Sequence, residues 1–420
     1  MVIAARRILR GLVFVAIFFA SLAPAIAAVD RPNELDHRVD AISAHALLTQ
    51  PAIDLVDPTR QEAAVRLVHM TLPGWLAMAL FEAVALAYFW STGRAAAVRD
   101  RLRRHIGSEW GVRFAFGAIL GLIARVAALL PAFYLYRVER VMGLSVELTR
   151  VWALFWIGHT ILAMVVAGLL AALVLSLVER THQWYIFTIV IILAVSLGWS
   201  FANPYFQIPG SGAPKPVAGQ LGARLTQEID RAGLGGLPVL VQQSKNSPVD
   251  RAVVVGLGAS RRLVLTDTLV AGNTPAEVLF LAGVAVGAIV QGDPVYVALI
   301  EGGIVIVFSA LAVVIADRIG FRRDDDPLSR LALVGALLAL IYLIAVPVRN
   351  ASLRSYDLDN DRFAVRLTGD KVAAVRALVR EADQHIEEVC PELSATLFLY
   401  AHPSPGVRVA AINGVKNGCP

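Results

Sequence analysis

The sequence predicts a mainly α, polytopic membrane protein with about seven transmembrane helices and a small α+β domain outside the membrane. Three observations support this fold class. The composition is 57% hydrophobic and only 17% charged, which is too apolar for an ordinary soluble protein. Apolar runs of roughly twenty residues, enough to cross about 30 Å of hydrocarbon, recur along the chain. A polar stretch after residue 204 mixes helical and strand-like patterns.

The membrane helices are predicted from apolar runs with few or no charges inside them. The first run follows Arg6 and Arg7 and ends in Ala25-Ile26-Ala27, a pattern that fits a cleaved signal peptide as well as a retained helix. Both interpretations stay open for residues 1–28. The runs cover residues 8–28, 70–91, 114–136, 151–178, 184–204, 295–315 and 328–347.

The polar segments between these runs predict one extramembrane domain in two parts. The first part contains a helix at 218–232, a strand at 237–242, a hairpin of strands 252–255 and 263–265, and a short helix at 275–291. The second part contains two helices, at 350–368 and 372–389. The predicted organisation is residues 1–28 as signal peptide or first membrane helix, 29–69 extramembrane, 70–204 a four-helix membrane region, 205–294 the first part of the domain, 295–347 two membrane helices, and 348–420 its C-terminal part.

Arginine placement predicts the orientation. Cytoplasmic loops carry an excess of Lys and Arg, so the arginine-bearing loops of this chain are expected in the cytoplasm. The alternate segments, 29–69, 137–150, 205–277 and 348–420, are then expected on the non-cytoplasmic side of a bacterial-type inner or plasma membrane. The net charge of +5 comes mostly from these loops and requires no nucleic-acid partner. The arginines of every second loop are Arg6, Arg7, Arg10, Arg94, Arg99, Arg101, Arg103, Arg104, Arg180, Arg318, Arg322 and Arg323.

The two cysteines, Cys390 and Cys419, both fall in a segment predicted to lie outside the cytoplasm. A disulfide is permitted in that compartment but is not required. Two free or buried thiols are an equal alternative.

Five motifs in register resemble the type I CAAX prenyl protease family, which comprises integral-membrane zinc metallopeptidases related to the heat-shock protease HtpX. The resemblance covers roughly residues 70–412. It implies a barrel of membrane helices around an aqueous chamber, beside a metallopeptidase-like domain. The similar segments are Tyr136 to Gly143, Gly256 to Leu269, Pro275 to Leu279, Asn350 to Gly369, and Tyr400 with His402, Pro403 and Arg408.

The family's zinc-binding His-Glu-x-x-His motif would fall on Val284 to Ala288, where the chain reads Val-Ala-Val-Gly-Ala. The resemblance places the two zinc histidines on Val284 and Ala288, the catalytic Glu on Ala285, and the third ligand on Asp357. Valine and alanine can neither bind zinc nor act as a general base. We therefore expect no catalytic residues and no cofactor, with zinc absent. No two of the eight histidines are four residues apart.

Other polar residues near the implied cleft are Asp357, Asp361, His402 and Arg408. A relocated metal site of Asp357, Asp361, His385 and His402 is a remote alternative. Asp357 and Asp361, one helical turn apart, are expected to form a solvated or Arg-paired face rather than a catalytic dyad. His402 and Arg408 are either remnants of a transition-state site or ordinary loop residues.

Four polar residues lie inside predicted membrane runs. Charges at that depth usually face a partner or water. Ion pairing between helices and exposure to the implied chamber are equal alternatives. These residues are Glu82, Arg125, His159 and Glu301.

The preferred functional hypothesis is a catalytically inactive membrane pseudo-peptidase that binds peptide or membrane-protein partners, with membrane lipid around it. An extended peptide could pair with the strand at 252–255. The alternative is an active membrane zinc metalloendopeptidase of the CAAX prenyl protease type with a non-standard metal site. A membrane conduit or structural protein is a third, weaker hypothesis.

Overall fold

Six long helices of this computed structural model are apolar enough to cross a membrane, among the described residues 37–202, 213–244, 251–320 and 326–419. The first predicted run, at 8–28, lies outside these residues. Five of the other runs each fall within one of the observed helices, and the run at 184–204 does so up to Ala202, since residues 203–204 lie outside the described residues. These helices are α3 (Pro58–Ser91), α5 (Glu109–Val141), α6 (Thr149–Arg180), α7 (Trp184–Ala202), α11 (Asp293–Gly320) and α12 (Pro327–Thr368).

Two membrane helices extend well beyond their apolar runs. Helix α3 begins at Pro58, where the side chain of Asp57 accepts a hydrogen bond from the backbone N–H of Thr59. Helix α12 continues through Pro347 to Thr368. The separate helix predicted from Asn350 is therefore the C-terminal part of α12, because a proline inside a membrane helix need not end it.

Glycines allow α5 and α6 to pack with their backbones in contact. A Cβ atom at Gly117 would lie 2.4 Å from the carbonyl oxygen of Ala167, and one at Gly121 would lie 2.9 Å from that of Ala163. Small residues at such crossings are typical of membrane helix pairs, because lipid provides no hydrophobic drive for association.

The extramembrane domain contains a four-stranded sheet with the order β1-β2-β4-β3. Strands β2 and β4 are parallel, while β3 pairs antiparallel with β4, with Val253 opposite Val264. One edge of the sheet is formed by β3. The strands are β1 (Lys215–Pro216), β2 (Val239–Gln242), β3 (Ala252–Val255) and β4 (Arg262–Thr266).

The sheet packs against the helices Gly219–Arg231, Asp267–Gly272 and Pro275–Gln291. The helix predicted at 372–389 ends at His385, because Ile386 adopts a left-handed conformation with φ 53°. The shorter helices are α1 (Ala44–Thr49), α2 (Ala52–Leu55), α4 (Arg94–His105), α8 (Gly219–Arg231), α9 (Asp267–Gly272), α10 (Pro275–Gln291), α13 (Lys371–His385), α14 (Leu393–Phe398) and α15 (Pro405–Asn413).

The segment that precedes α3 is part of the domain core. Val39, Leu47 and Leu55 are at most 3% exposed and pack against α13 and α15 residues in one hydrophobic cluster. Arg380 of α13 links this segment to α10, because its guanidinium donates hydrogen bonds to both Asp40 and the fully buried Glu277.

Segments predicted to share one side of the membrane do pack together. Residues 39–56, 217–289 and 363–412 contribute to one core, and Met142 packs in a second cluster with Ile386. At the opposite end, Arg103 bonds Asp326 at 2.6 Å, so two arginine-bearing loops meet there. The alternation read from the arginines therefore corresponds to two distinct ends of the molecule.

Three of the four polar residues predicted inside membrane runs interact with neighbouring helices, and His159 bonds within its own helix. Glu301 accepts hydrogen bonds from Arg349 at 2.7 and 3.0 Å. The guanidinium of Arg125 lies 3.7 Å from the centre of the Trp156 ring and interacts electrostatically with Glu82. His159 bonds the carbonyl of Phe155 in its own helix.

Candidate functional site

Helix α10 has strong start and stop signals. Thr274 and Glu277 form a capping box, in which the Glu277 carboxylate accepts from the Thr274 N–H at 3.1 Å. Pro275 occupies the first turn, and Gly292 ends the helix in a left-handed conformation with φ 79°. The helix therefore has the bounds that the sequence predicts.

One face of α10 is less buried than the rest. Between Val278 and Ile289, every residue is buried except Val284 and Ala288. These two residues are four positions apart, so they lie one above the other on the same face. Ala285, at 8% exposed, belongs to the domain core.

The adjacent face of α10 packs against α12. A Cβ atom at Gly283 would lie 3.2 Å from the Ala364 Cβ, and one at Gly287 would lie 3.3 Å from the Asn360 Cα. Gln291 completes this line of contact, since its Nε2 donates to the Asn360 Oδ1 at 2.9 Å. The close approach brings the half-exposed face of α10 next to the turn of α12 that carries Asp357 and Asp361.

Asp357 bonds His402. Its Oδ2 lies 2.7 Å from the His402 Nδ1. The hydrogen bond that this carboxylate accepts from the imidazole raises the pKa of His402 above its ordinary value. The imidazole itself is 75% exposed, whereas the Asp357 side chain is 24% exposed. The two side chains that the resemblance placed near the cleft are therefore in contact.

Asp361 is bonded by Arg408. The guanidinium donates to both oxygens of the fully buried Asp361 carboxylate at 2.8 Å each, and to Glu381 at 3.0 Å. Burial alone would lower the pKa of Arg408, but these carboxylates hold it well above its ordinary value. The Arg-paired interpretation of Asp361 is thus the observed one, and this carboxylate is not available as a metal ligand or base.

The side chains at the site do not fit a zinc ion. A structural or catalytic zinc needs at least three protein ligands, usually His, Cys or carboxylate. Across the described parts of the chain, no three His, Cys, Asp or Glu residues are arranged to hold a metal ion. At the site itself, Asp357 has His402 as its partner, and Val284 and Ala288 offer no donor atoms.

The site also contains residues that sequence reasoning missed. Glu381 bonds Arg408 from α13, and Asn360 bonds Gln291 across the α10–α12 contact. No local pattern marks either residue, because their partners are 27 and 69 positions away in the chain. The signals that pointed to this region were the resemblances of α10, the C-terminal part of α12 and the segment with His402 and Arg408 to motifs of one family.

Cys390 and Cys419 form a disulfide across 29 positions of sequence. Cys419 also lies near the carbonyl of Val389, so the C-terminus is held against the start of the segment that leads to α14. Of the two alternatives that the sequence left open, the structure has the disulfide.

Residues 216–416 match the family model described as Peptidase family M48. This part of the chain is therefore an M48 domain, and the protein is a membrane homologue of the M48 metallopeptidases. It is 25% identical over 336 residues to "Uncharacterized metalloprotease YhfN" of Bacillus subtilis (strain 168), a match that covers 74% of this chain and 76% of that protein.

The fold as a whole is similar to that of a solved membrane protein. The match to "Crystal Structure of S. mikatae Ste24p" has a TM-score of 0.69 and covers 96% of this chain and 98% of that one, at 17% identity. The likeness extends through both the membrane helices and the extramembrane domain. His-Glu-x-x-His occurs nowhere in the 420 residues of the M48 homologue.

Proposed function

We propose that this protein is a catalytically inactive membrane homologue of M48 metallopeptidases that binds a peptide or protein partner outside the cytoplasm. The observation that carries the proposal is the half-exposed face of α10, where Val284 and Ala288 stand four residues apart beside Asp357. That spacing suits two zinc ligands on a helix, but these two side chains are hydrocarbon. Zinc is accordingly proposed to be absent.

The general base of a metallopeptidase would also be missing. A base must come within hydrogen-bond reach of the attacking water, and the residue between Val284 and Ala288 that the resemblance assigns to this role is Ala285, in the core. The neighbouring carboxylate of Asp361 is neutralised by Arg408. Neither ligand nor base is offered by the α10 face.

Strand β3 supports the binding part of the proposal. It forms one edge of the sheet, and Val253 is 42% exposed. The backbone N–H of Thr266 donates to the Arg251 carbonyl, which makes residues 251, 253 and 255 the hydrogen-bonded partners of β4. The N–H and C=O groups of Ala252 therefore point to the free edge, where an extended peptide can pair.

Two independent observations support a non-cytoplasmic domain. The end of the molecule opposite the domain carries the arginine-rich helix α4, with Arg103 and Arg104 in its last turn, as the positive-inside rule expects of a cytoplasmic end. The domain itself carries the Cys390–Cys419 disulfide, and disulfides persist in oxidising compartments.

An active peptidase with a non-standard metal site is the alternative. It is favoured by the contact between Asp357 and His402, which leaves a carboxylate and an imidazole together beside α10. These are two donors where a zinc site needs at least three.

Metal analysis of the purified full-length protein in detergent tests the two proposals. We expect less than about 0.1 zinc per chain by mass spectrometry after incubation with zinc and removal of the excess. About one zinc per chain, lost in Asp357→Asn but kept in the matched control Asp359→Asn, would support the enzyme instead. Asp359 is the suitable control because it lies on the exposed side of the same helix.

Partner binding has a separate test. A photo-crosslinking residue at the exposed position 253 is expected to capture a protein partner in cells. Ala252→Pro removes the outward N–H while leaving the ladder to β4 intact, since proline is tolerated at the first residue of a strand. We expect Ala252→Pro to reduce the cross-linked yield, and an unchanged yield would exclude pairing at this edge.

A further inference from the structure

A half-open pocket of about 600 Å³ lies beside the candidate site, between α12, α14, the start of α15 and the C-terminus. Its volume is in the range of small-ligand sites. The wall combines a few polar groups with a larger apolar surface. Arg354, Leu358, Leu393, His402 and Val407 line it, together with the Cys390–Cys419 disulfide.

The pocket lies at the outer edge of the lipid headgroups. The apolar part of α12 ends near Pro347, and Arg354 follows seven residues later, which is about 10 Å along a helix. Headgroup regions extend roughly 5–8 Å beyond the hydrocarbon on each side, so the backbone of Arg354 lies just outside this layer. Trp75, Tyr342 and Phe398 form an aromatic cluster with ring centres 5.7 and 6.0 Å apart, as is typical of the membrane interface. Phe398 is the last residue of α14, so this wall of the pocket sits at the interface.

Arg354 provides the pocket with a positive charge that no carboxylate neutralises in the described structure. Its Nη1 donates to the carbonyl oxygens of Thr396 and Tyr400 at 2.8 and 2.9 Å, which caps the end of α14. By contrast, the nearby Arg349 is paired with Glu301, and His402 with Asp357. A guanidinium that still has donors to spare is suited to an anion with several acceptor oxygens.

The mouth of the pocket is apolar. Leu393 is 73% exposed and Val407 is 36% exposed, although each could have been covered within the domain. Large apolar side chains at the membrane surface gain free energy by contact with acyl chains. Glu392 also borders the pocket, but its carboxylate is exposed to water, where its repulsion of an anion is screened.

We infer that this pocket binds an anionic phospholipid of the adjoining leaflet. The guanidinium of Arg354 donates hydrogen bonds to the phosphate, and the acyl chain lies against Leu393 and Val407. A positive charge at the outer edge of the headgroups together with an apolar mouth is what a phosphate attached to hydrocarbon requires. This assignment does not depend on whether the protein is a peptidase.

Native mass spectrometry of the full-length protein in detergent, titrated with phosphatidylglycerol, tests the assignment. We expect one tightly bound lipid per chain, with phosphatidylcholine binding about tenfold more weakly. Arg354→Gln is expected to weaken phosphatidylglycerol binding by about tenfold, the effect of one charge-assisted hydrogen bond. Glycerol 3-phosphate, which has the phosphate without acyl chains, should not displace the lipid at equal concentration.

A second variant covers the case in which Arg354→Gln destabilises α14. Val407→Asp places a carboxylate on the exposed part of the pocket wall, and Ala411→Asp places one on an exposed position of the same helix outside the pocket. We expect weaker lipid binding for Val407→Asp and unchanged binding for Ala411→Asp. Equal binding by the parent and Val407→Asp would overturn the proposal, as would full displacement of the lipid by glycerol 3-phosphate.

Discussion

Both carboxylate oxygens of Asp361 accept hydrogen bonds from the guanidinium of Arg408, Oδ1 from Nη2 and Oδ2 from Nε. This two-point contact joins α12 to α15, and a third bond from Arg408 to Glu381 adds α13. Because the Asp361 side chain is fully buried, its charge depends on this single partner for compensation.

We expect Arg408→Ala to lower the free energy of unfolding of the domain by about 3–5 kcal/mol, since it leaves a buried carboxylate unpaired. Thermal unfolding in detergent measures the effect. The double variant Arg408→Leu with Asp361→Leu is the control, because it removes both charges and should recover much of the loss. A single variant as stable as the parent would mean that water already solvates Asp361.

His402 should keep its proton to a higher pH than an ordinary histidine, because the Asp357 carboxylate stabilises the imidazolium. The raised pKa means that the pair stabilises the folded protein below the unfolded-state pKa of about 6.5, and that this contribution is lost as the pH rises through the folded-state pKa. NMR of histidine labelled at Cε1, assigned with His402→Gln, measures it. Asp357→Asn should return the pKa of His402 towards 6.5, and equal pKa values in both proteins would contradict the contact.

Restoring the family's metal ligands should create a zinc site. In the variant Val284→His, Ala285→Glu, Ala288→His and Asp357→Glu, the two histidines would share the half-exposed face of α10 beside α12. We expect about one zinc per chain by mass spectrometry, with some loss of stability because Ala285 is buried. The same variant with Asp357→Ala in place of Asp357→Glu should bind zinc more weakly. A folded quadruple variant that binds no more zinc than the parent would show that these positions do not converge.

The proposed orientation can be tested with single cysteines, because both natural cysteines are in the disulfide. Ala411→Cys lies on the domain, and His105→Cys lies at the arginine-rich end. We expect a membrane-impermeant thiol reagent to label Ala411→Cys in intact cells and His105→Cys only after permeabilisation. The parent provides the blank, and the reverse pattern would place the domain in the cytoplasm.

The disulfide should stabilise the C-terminal part of the domain. Closing a loop of 29 positions contributes about 3–4 kcal/mol in the chain-entropy model. We expect reductant to lower the thermal midpoint of the parent. The double variant Cys390→Ser with Cys419→Ser should have this lower midpoint without reductant, and reductant should not change it further. An equal response of both proteins to reductant would mean that the bond does not form in the native protein.

The sequence predicted those helices whose start and end are determined by residues next to them in the chain. Helix α10 was predicted with its observed bounds, because Thr274, Pro275 and Gly292 act on the backbone next to them. The break expected between Pro347 and Asn350 was wrong, since a membrane environment lets a helix continue past proline. The six long helices confirm the mainly α membrane fold within the described residues.

The candidate site was predictable only in part. The resemblance brought Asp357, Asp361, His402 and Arg408 to one region, but it did not indicate which residues pair. The bonds from Asp357 to His402 and from Asp361 to Arg408 span 45 and 47 positions, so they depend on how α12 packs against the C-terminal segment. The role of residues 37–57 in the core was likewise missed, since it depends on α13, more than 300 positions later.

That long-range packing has a consequence for biosynthesis. The apolar side chains of Val39, Leu47 and Leu55 leave the ribosome before the membrane helix α3, but α13, which covers them, begins at Lys371. At about 5–20 residues per second, roughly 15–65 s separate the two events. In the proposed orientation, the N-terminal segment spends this interval on the non-cytoplasmic side with its hydrophobic face uncovered. The nascent protein should therefore be a client of the chaperones on that side until translation is nearly complete.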